Sequence, residues 1–132
     1  MDTALKADSS KIEMAVYNLI QPALVGICDF VKVGSRNPKE NPTKSVYCNA
    51  PVPIVDLSAI ERTTMRIEIY VAQIAGFKDT TTLSTIRDVI VPLIGSGITL
   101  DDSYIINRGT ELSRADGNGF DFIFLNLNVT VI

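Results

Sequence analysis

Asp101-Asp102 and the pair Asp116 and Asp121 are the residues whose type and spacing suit chemistry, because neighbouring carboxylates can share a proton or hold a cation. The chain has no histidine to work with them. That removes Ser-His-Asp and Cys-His nucleophile systems together with the commonest metal ligand. Adjacent acids ahead of a strand are more simply a solvated turn. Cys28 and Cys48 lie far apart, without the flanking Cys or His of a zinc site, and are expected to be free, reduced thiols. Gly95-Ser96-Gly97 follows a helical stretch, whereas a phosphate cradle needs its glycines before one, so it reads as a helix stop. Asp116-Gly117-Asn118-Gly119 has the start of a calcium-loop spacing but lacks the later acids, and reads as a hairpin turn. The expectation is therefore no catalytic residue, no metal and no cofactor.

Composition points the same way. A net charge of -3 gives no basic field with which to neutralise phosphates, so tight non-specific binding of nucleic acid is not expected, while passage of DNA close by is compatible with it. Phe120, Phe122 and Phe124 alternate as in an aromatic nucleic-acid platform, but Asp121, Ile123 and Leu125 stand between them where such a platform has basic residues. They read as core or subunit interface. The first ten residues carry no apolar signal core and no window reaches the length of a membrane span, so neither secretion nor membrane insertion is expected.

The elements that position these groups follow from periodicity. Residues 1–9 are polar and without period, a flexible arm, and residues 10–132 form one domain. Ser10 and Glu13 fit a capping box, and Ile12, Val16, Leu19, Ile20, Ala23 and Ile27 follow at helical spacing, with Pro22 expected to kink or end the helix near 21–26. Cys28 to Val33 is a short strand. The stretch from Ser35 to Lys44 has no apolar residue and two prolines, a long basic loop with Arg36, Lys39 and Lys44 against Glu40. Val46 to Cys48 is extended, and Val52 to Leu57 is an edge strand or arm because Pro51 and Pro53 cannot donate to a ladder. Thr64 to Ala75 alternates strictly, Leu83 to Ile94 is a second amphipathic helix with Pro92 near its end, and Tyr104 to Ala115 is a third long strand.

The closing strand has two characters. Ile123, Leu125, Leu127, Val129 and Val131 share one face, while Phe120, Phe122 and Phe124 make the other aromatic, and that side has no assigned partner within the chain. A two-residue turn on Gly117 and Asn118 sets Arg114 opposite Asp121 and Leu112 opposite Ile123. The fold class is α+β: an antiparallel sheet of four to five strands with two helices packed on one face.

This order, with Phe30-Val31-Lys32-Val33-Gly34 leading into a loop, Arg66-Ile67-Glu68-Ile69-Tyr70-Val71 before the second helix, and the closing Asp-Gly-Asn-Gly hairpin, resembles the tail terminator (tail completion or neck) proteins of long-tailed bacteriophages. The resemblance covers about residues 10–132. It implies a virion protein, assembled in the host cytoplasm, that forms a ring, typically a hexamer. That ring caps the head-proximal end of the tail tube, ends its polymerisation and joins it to a head-side connector or stopper protein. The expected contacts are the loop residues Arg36, Lys39 and Lys44, the arm residues Pro51 and Pro53, and the aromatic Phe120, Phe122 and Phe124. The rivals are another head-tail connection or tube component and a small ligand-binding or enzymatic domain.

Overall fold

The computed structural model describes residues 8–37, 39–40, 42–50, 55–57 and 60–132. Two helices, α1 (Ser9–Leu24) and α2 (Thr80–Ile94), pack on one face of a sheet built from seven strands. These are β1 (Phe30–Val33), β2 (Lys44–Asn49), β3 (Val55–Leu57), β4 (Ile60–Ala72), β5 (Ile98–Leu100), β6 (Tyr104–Ala115) and β7 (Phe120–Val131). The spatial order is β1-β2-β4-β7-β6-β5, with β3 paired to the beginning of β4.

The α+β class and the one-sided helical cover are as expected, but the sheet differs in two ways. Among the described residues it has seven strands and not four to five: β5 is only three residues long and carries no period for a sequence to display, and β3 falls within the stretch 52–57 expected as an edge strand or arm. It is also not wholly antiparallel. β1 runs parallel to β2, with Phe30 opposite Ser45 and Val33 opposite Cys48. The loop after β1 travels back along the sheet before β2 begins, which only a connection of about a dozen residues allows. Asp29 fixes this arrangement by accepting from the Thr43 amide at 2.8 Å and the Lys44 amide at 3.2 Å, so both strands start side by side.

The helix starts show how local rules yield to tertiary ones. Asp8, not Ser10, caps α1, its carboxylate accepting from the Ser10 amide at 2.9 Å and the Lys11 amide at 3.3 Å. Glu13 does not reach back to the cap as a capping box requires. It reaches across to the Ala50 amide at 2.9 Å, beyond the end of β2. Asp79 caps α2 through the amide and hydroxyl of Thr82. Pro22 and Pro92 both lie inside their helices on exposed faces, near enough to the C-terminal ends that each helix closes within two residues.

Ile12, Val16, Ile20 and Leu24 of α1 and Leu83, Ile86, Ile90 and Ile94 of α2 meet Val46, Met65, Ile67, Ile69, Leu125, Leu127 and Val129 of the sheet in one core. Each such aliphatic side chain contributes about 1.5–3 kcal/mol on burial. The Ile123-to-Val131 face of β7 is thus covered by the helices, as its alternation foretells.

The hairpin register is shifted by one residue from the two-residue turn expected on Gly117 and Asn118. Ala115 pairs with Asp121, Arg114 with Phe122 and Leu112 with Phe124. The Asp116 carboxylate accepts from the amides of Asn118 at 2.6 Å and Phe120 at 3.1 Å, and the Asp116 amide donates to the Phe120 carbonyl, which closes a three-residue loop with Gly117 and Gly119 at positive φ. A slip of one residue exchanges faces. Arg114 and Leu112 therefore stand on the aromatic face, while Asp121 turns toward the helices and accepts from Gln73 Nε2 at 3.2 Å.

Candidate assembly surface

The sheet face opposite the helices is an aromatic and charged layer. Phe122 and Phe124 of β7 stack with ring centres 4.3 Å apart, and Tyr70 of β4 lies against both, at 5.7 and 6.1 Å. Tyr47 of β2 meets Tyr70 edge-on at 5.8 Å. Cations cap the layer. The Arg66 guanidinium sits 4.3 Å over Phe124 and bonds Glu68, which is buried and also accepts from Asn49 Nδ2 at 3.0 Å. Arg36 reaches in from the loop between β1 and β2, its guanidinium 4.7 Å from the Tyr70 ring and 4.5 Å from that of Phe120, with Nη1 3.7 Å from Asp116 Oδ2.

The expected contact residues therefore separate. Phe120 and Phe122 are only 8% and 9% exposed, and the partner that the sequence left unassigned is the chain's own Arg36 with Tyr70. Phe124 is half-buried. Arg36 is a lock on the sheet and not a free loop cation, since Arg36 and Asp116 are 13% and 12% exposed at the side chain. Lys44 opens β2 and is half-buried, whereas Lys39 is exposed beside Glu40, which pairs with Lys32 at 2.7 Å. Pro51 and Pro53 lie outside the described residues.

Sequence reasoning missed the apolar surface at one end of the sheet. Ile74 and Phe77 flank a tight turn on Ala75 and Gly76, exchanging backbone hydrogen bonds at 2.9 and 3.0 Å, and are 64% and 77% exposed. The Gln73 amide donates to Gly119 and the Ala72 amide to Thr43, which draws this turn, the β6–β7 turn and the end of the Arg36 loop together. The available signal was an apolar pair around Ala-Gly at the close of a strand, where solvent normally selects polar residues.

Catalytic geometry is weak by comparison. Asp101 and Asp102 occupy a hairpin turn between β5 and β6, both at positive φ, as such a turn requires at its two central positions. Among the described residues no three His, Cys, Asp or Glu side chains cluster as metal ligands. Burial pushes the Cys28 thiol up to about 11 and, with Glu13 and Glu68 adding to it, that of Cys48 up to about 12, so neither is a thiolate at neutral pH. A hollow of about 400 Å³ beside Lys11, Met14, Asp101, Ser103, Tyr104 and Ile132 holds one carboxylate and one lysine, and the Ser103 hydroxyl there donates to the Asp101 backbone carbonyl at 3.0 Å. No helix among the described residues is long and apolar enough to cross a membrane.

No family model matches the chain, and no curated protein matches it. Among solved structures it is similar to a chain from the "Virion of native gene transfer agent (GTA) particle", with 14% identity, a TM-score of 0.66, and coverage of 96% of this chain and 98% of that one. What the two share is the fold. The match extends over nearly the full length of both chains, so it takes in the sheet with its two helices and not a single supersecondary motif.

Proposed function

We infer that this chain is a structural protein of a phage-like virion, and that its role is to form a ring, a hexamer by the sequence resemblance, capping the head-proximal end of a tail tube. The observation that carries the reading is the near end-to-end likeness to a chain of a gene transfer agent virion. The chemically bare surface is consistent with it, since such a subunit acts by position and shape. The ring would end tube polymerisation because one side pairs with the last tube ring while the other cannot accept another. It would then offer that other side to a head-side connector or stopper protein.

Ile74, Phe77 and the three turns gathered at that end of the sheet are the best-suited axial contact, with exposed Lys39 on the loop nearby. Exposed apolar side chains rimmed by polar turns are the usual mark of a docking surface. Lys44, the arm at Pro51 and Pro53 and the outer side of Phe124 remain as contacts between subunits in this proposal.

The mass and negative-stain image of the purified protein test it. Discrete rings are expected. Open-ended tubes would move the role to the tube itself, and a monomer carrying a bound metabolite would replace the virion reading with a ligand-binding one.

A further inference from the structure

We propose that the outer edge of β6 from Glu111 to Ala115 is the seam that receives β1 of a second copy of this chain, so that the sheet continues from one subunit to the next. This rests on the ring reading above and names its subunit contact.

The sheet ends differently on its two flanks. β5 covers β6 at Tyr104–Ile106, so residues 107–115 have, among the described residues, a paired neighbour on one side alone. At the opposite flank, among the described residues, β1 pairs with β2 alone, and no described strand lies on its outer edge. Unpaired edges of this kind are templates for another strand. Two different edges on opposite flanks make a heterologous contact, which closes into a ring when the rotation between copies allows it.

Direction and register then fix the fit. β1 runs with β2 and β7, and β6 runs against β7, so two copies related by an axis along the strands bring β1 to β6 antiparallel. Within β6, Gly109 and Thr110 together oppose Asn126, a bulge that interrupts the ladder. Gly109 suits the bulge, because a Cβ there would stand 3.1 Å from the Asn126 carbonyl oxygen, a tight contact that the neighbouring strand would have to yield to. The regular stretch left is 111–115, long enough for the four residues of β1.

Only one register keeps faces matched and avoids the bulge: Arg114 opposite the partner copy's Phe30, Ser113 opposite Val31, Leu112 opposite Lys32 and Glu111 opposite Val33. It extends the aromatic layer with an Arg114–Phe30 pair. It also brings Asp29, at the head of β1 and without an ion pair among the described residues, to the side of Lys78, which bonds Ser113 Oγ at 3.1 Å on the helix face. The charges are complementary where the strands meet.

Cross-linking tests the seam in the full chain carrying both Val31→Cys and Ser113→Cys. Facing residues in an antiparallel pair have Cβ atoms about 4.5–5.5 Å apart, close to disulfide reach. Mild oxidation is expected to give a covalent ladder that stops at the ring size, with each single variant remaining unlinked. Hydrogen exchange on the unmodified protein gives a second measurement: amides of residues 30–33 and 111–115 should slow on assembly and speed up on dilution to monomer. Rings that form without the ladder and without that protection would overturn the seam while leaving the ring. A chain that stays monomeric at every concentration would overturn both, and linking by Val31→Cys alone would replace the seam with a symmetric β1–β1 contact.

Discussion

Arg36 holds its guanidinium 4.5 Å from the centre of the Phe120 ring, across more than eighty residues of sequence, and so fastens the longest loop of the domain to the start of its closing strand. The same side chain reaches Tyr70 and approaches Asp116, which makes it the clasp of the aromatic layer.

Arg36→Ala should release the loop without undoing the sheet. A partly desolvated cation–π contact contributes about 0.5–2 kcal/mol, and Arg36 makes two. The expected result is a loss of about 1–3 kcal/mol in chemical denaturation, with faster amide exchange confined to the loop and the 116–120 turn. Arg36→Lys should recover part of this, because an ammonium keeps the charge but not the flat stacking surface.

Phe122→Asp should unfold the domain before it does anything to assembly. The ring is buried between Tyr70 and Phe124, so a carboxylate there is desolvated beside two aromatic faces. Phe122→Ala, which adds no charge, is expected to cost about 3 kcal/mol. Leu112→Ser, at an exposed neighbour on the same face, should leave the melting temperature within a few degrees and serves as the control.

Acid should weaken the α2-to-β6 connection. The Arg87 guanidinium bonds Glu111 through Nε at 2.8 Å and Nη2 at 2.9 Å and holds that carboxyl below its usual range; the hydroxyl and amide of Thr82 do the same for Asp79. A depressed carboxyl stabilises the fold fully above its unfolded value and loses that stabilisation as pH falls through the folded one. Melting temperature should therefore drop between about pH 5 and pH 3. Both partners of the Arg87–Glu111 pair are partly exposed, so Glu111→Gln should cost at most about 1 kcal/mol at neutral pH and should flatten the acid limb slightly.

The thiols should behave in the opposite sense. Burial favours the neutral form of Cys28 and Cys48, so the fold keeps their contribution below an ordinary thiol value near ~8.5 and loses it as pH rises toward about 11 and about 12. At pH 8 a thiol reagent should modify the native protein slowly, Cys48 more slowly than Cys28, and both at once when the chain is denatured. Rapid labelling of native Cys48 would contradict the burial described for it.

The sequence displayed what periodicity can display. Both apolar helix stripes and the three long strands, β4, β6 and β7, are where alternation put them, because burial on one face leaves a repeating mark. The three-residue β5 leaves none, and the parallel setting of β1 is helped by a carboxylate, Asp29, that bonds amides fourteen and fifteen residues away, a contact that no local pattern displays. The hairpin slipped by one residue because Asp116 spends its carboxylate on the turn, a choice that cross-strand pairing rules do not weigh. For the assembly surface, composition singled out Arg36 and the phenylalanines as interacting groups but not that they interact with one another. Ile74 lies out of phase at the end of the strand expected from Thr64 to Ala75, and Phe77 in the break after it, so neither stands out as surface.

The strand that completes the middle of the sheet follows the other six in chain order. β7 lies between β4 and β6, and its pairing joins Glu61 to Val131 across seventy residues. A nascent chain halted before Phe120 has both helices and six of the seven described strands, yet the central ladder is missing and the core beneath it is open to water. Folding must wait until this segment has emerged behind the strands it joins, which makes the process slow and non-local. It also means that an unfinished subunit cannot build the continuous sheet on which any neighbour would have to register, so incomplete copies are kept from being incorporated by the topology itself.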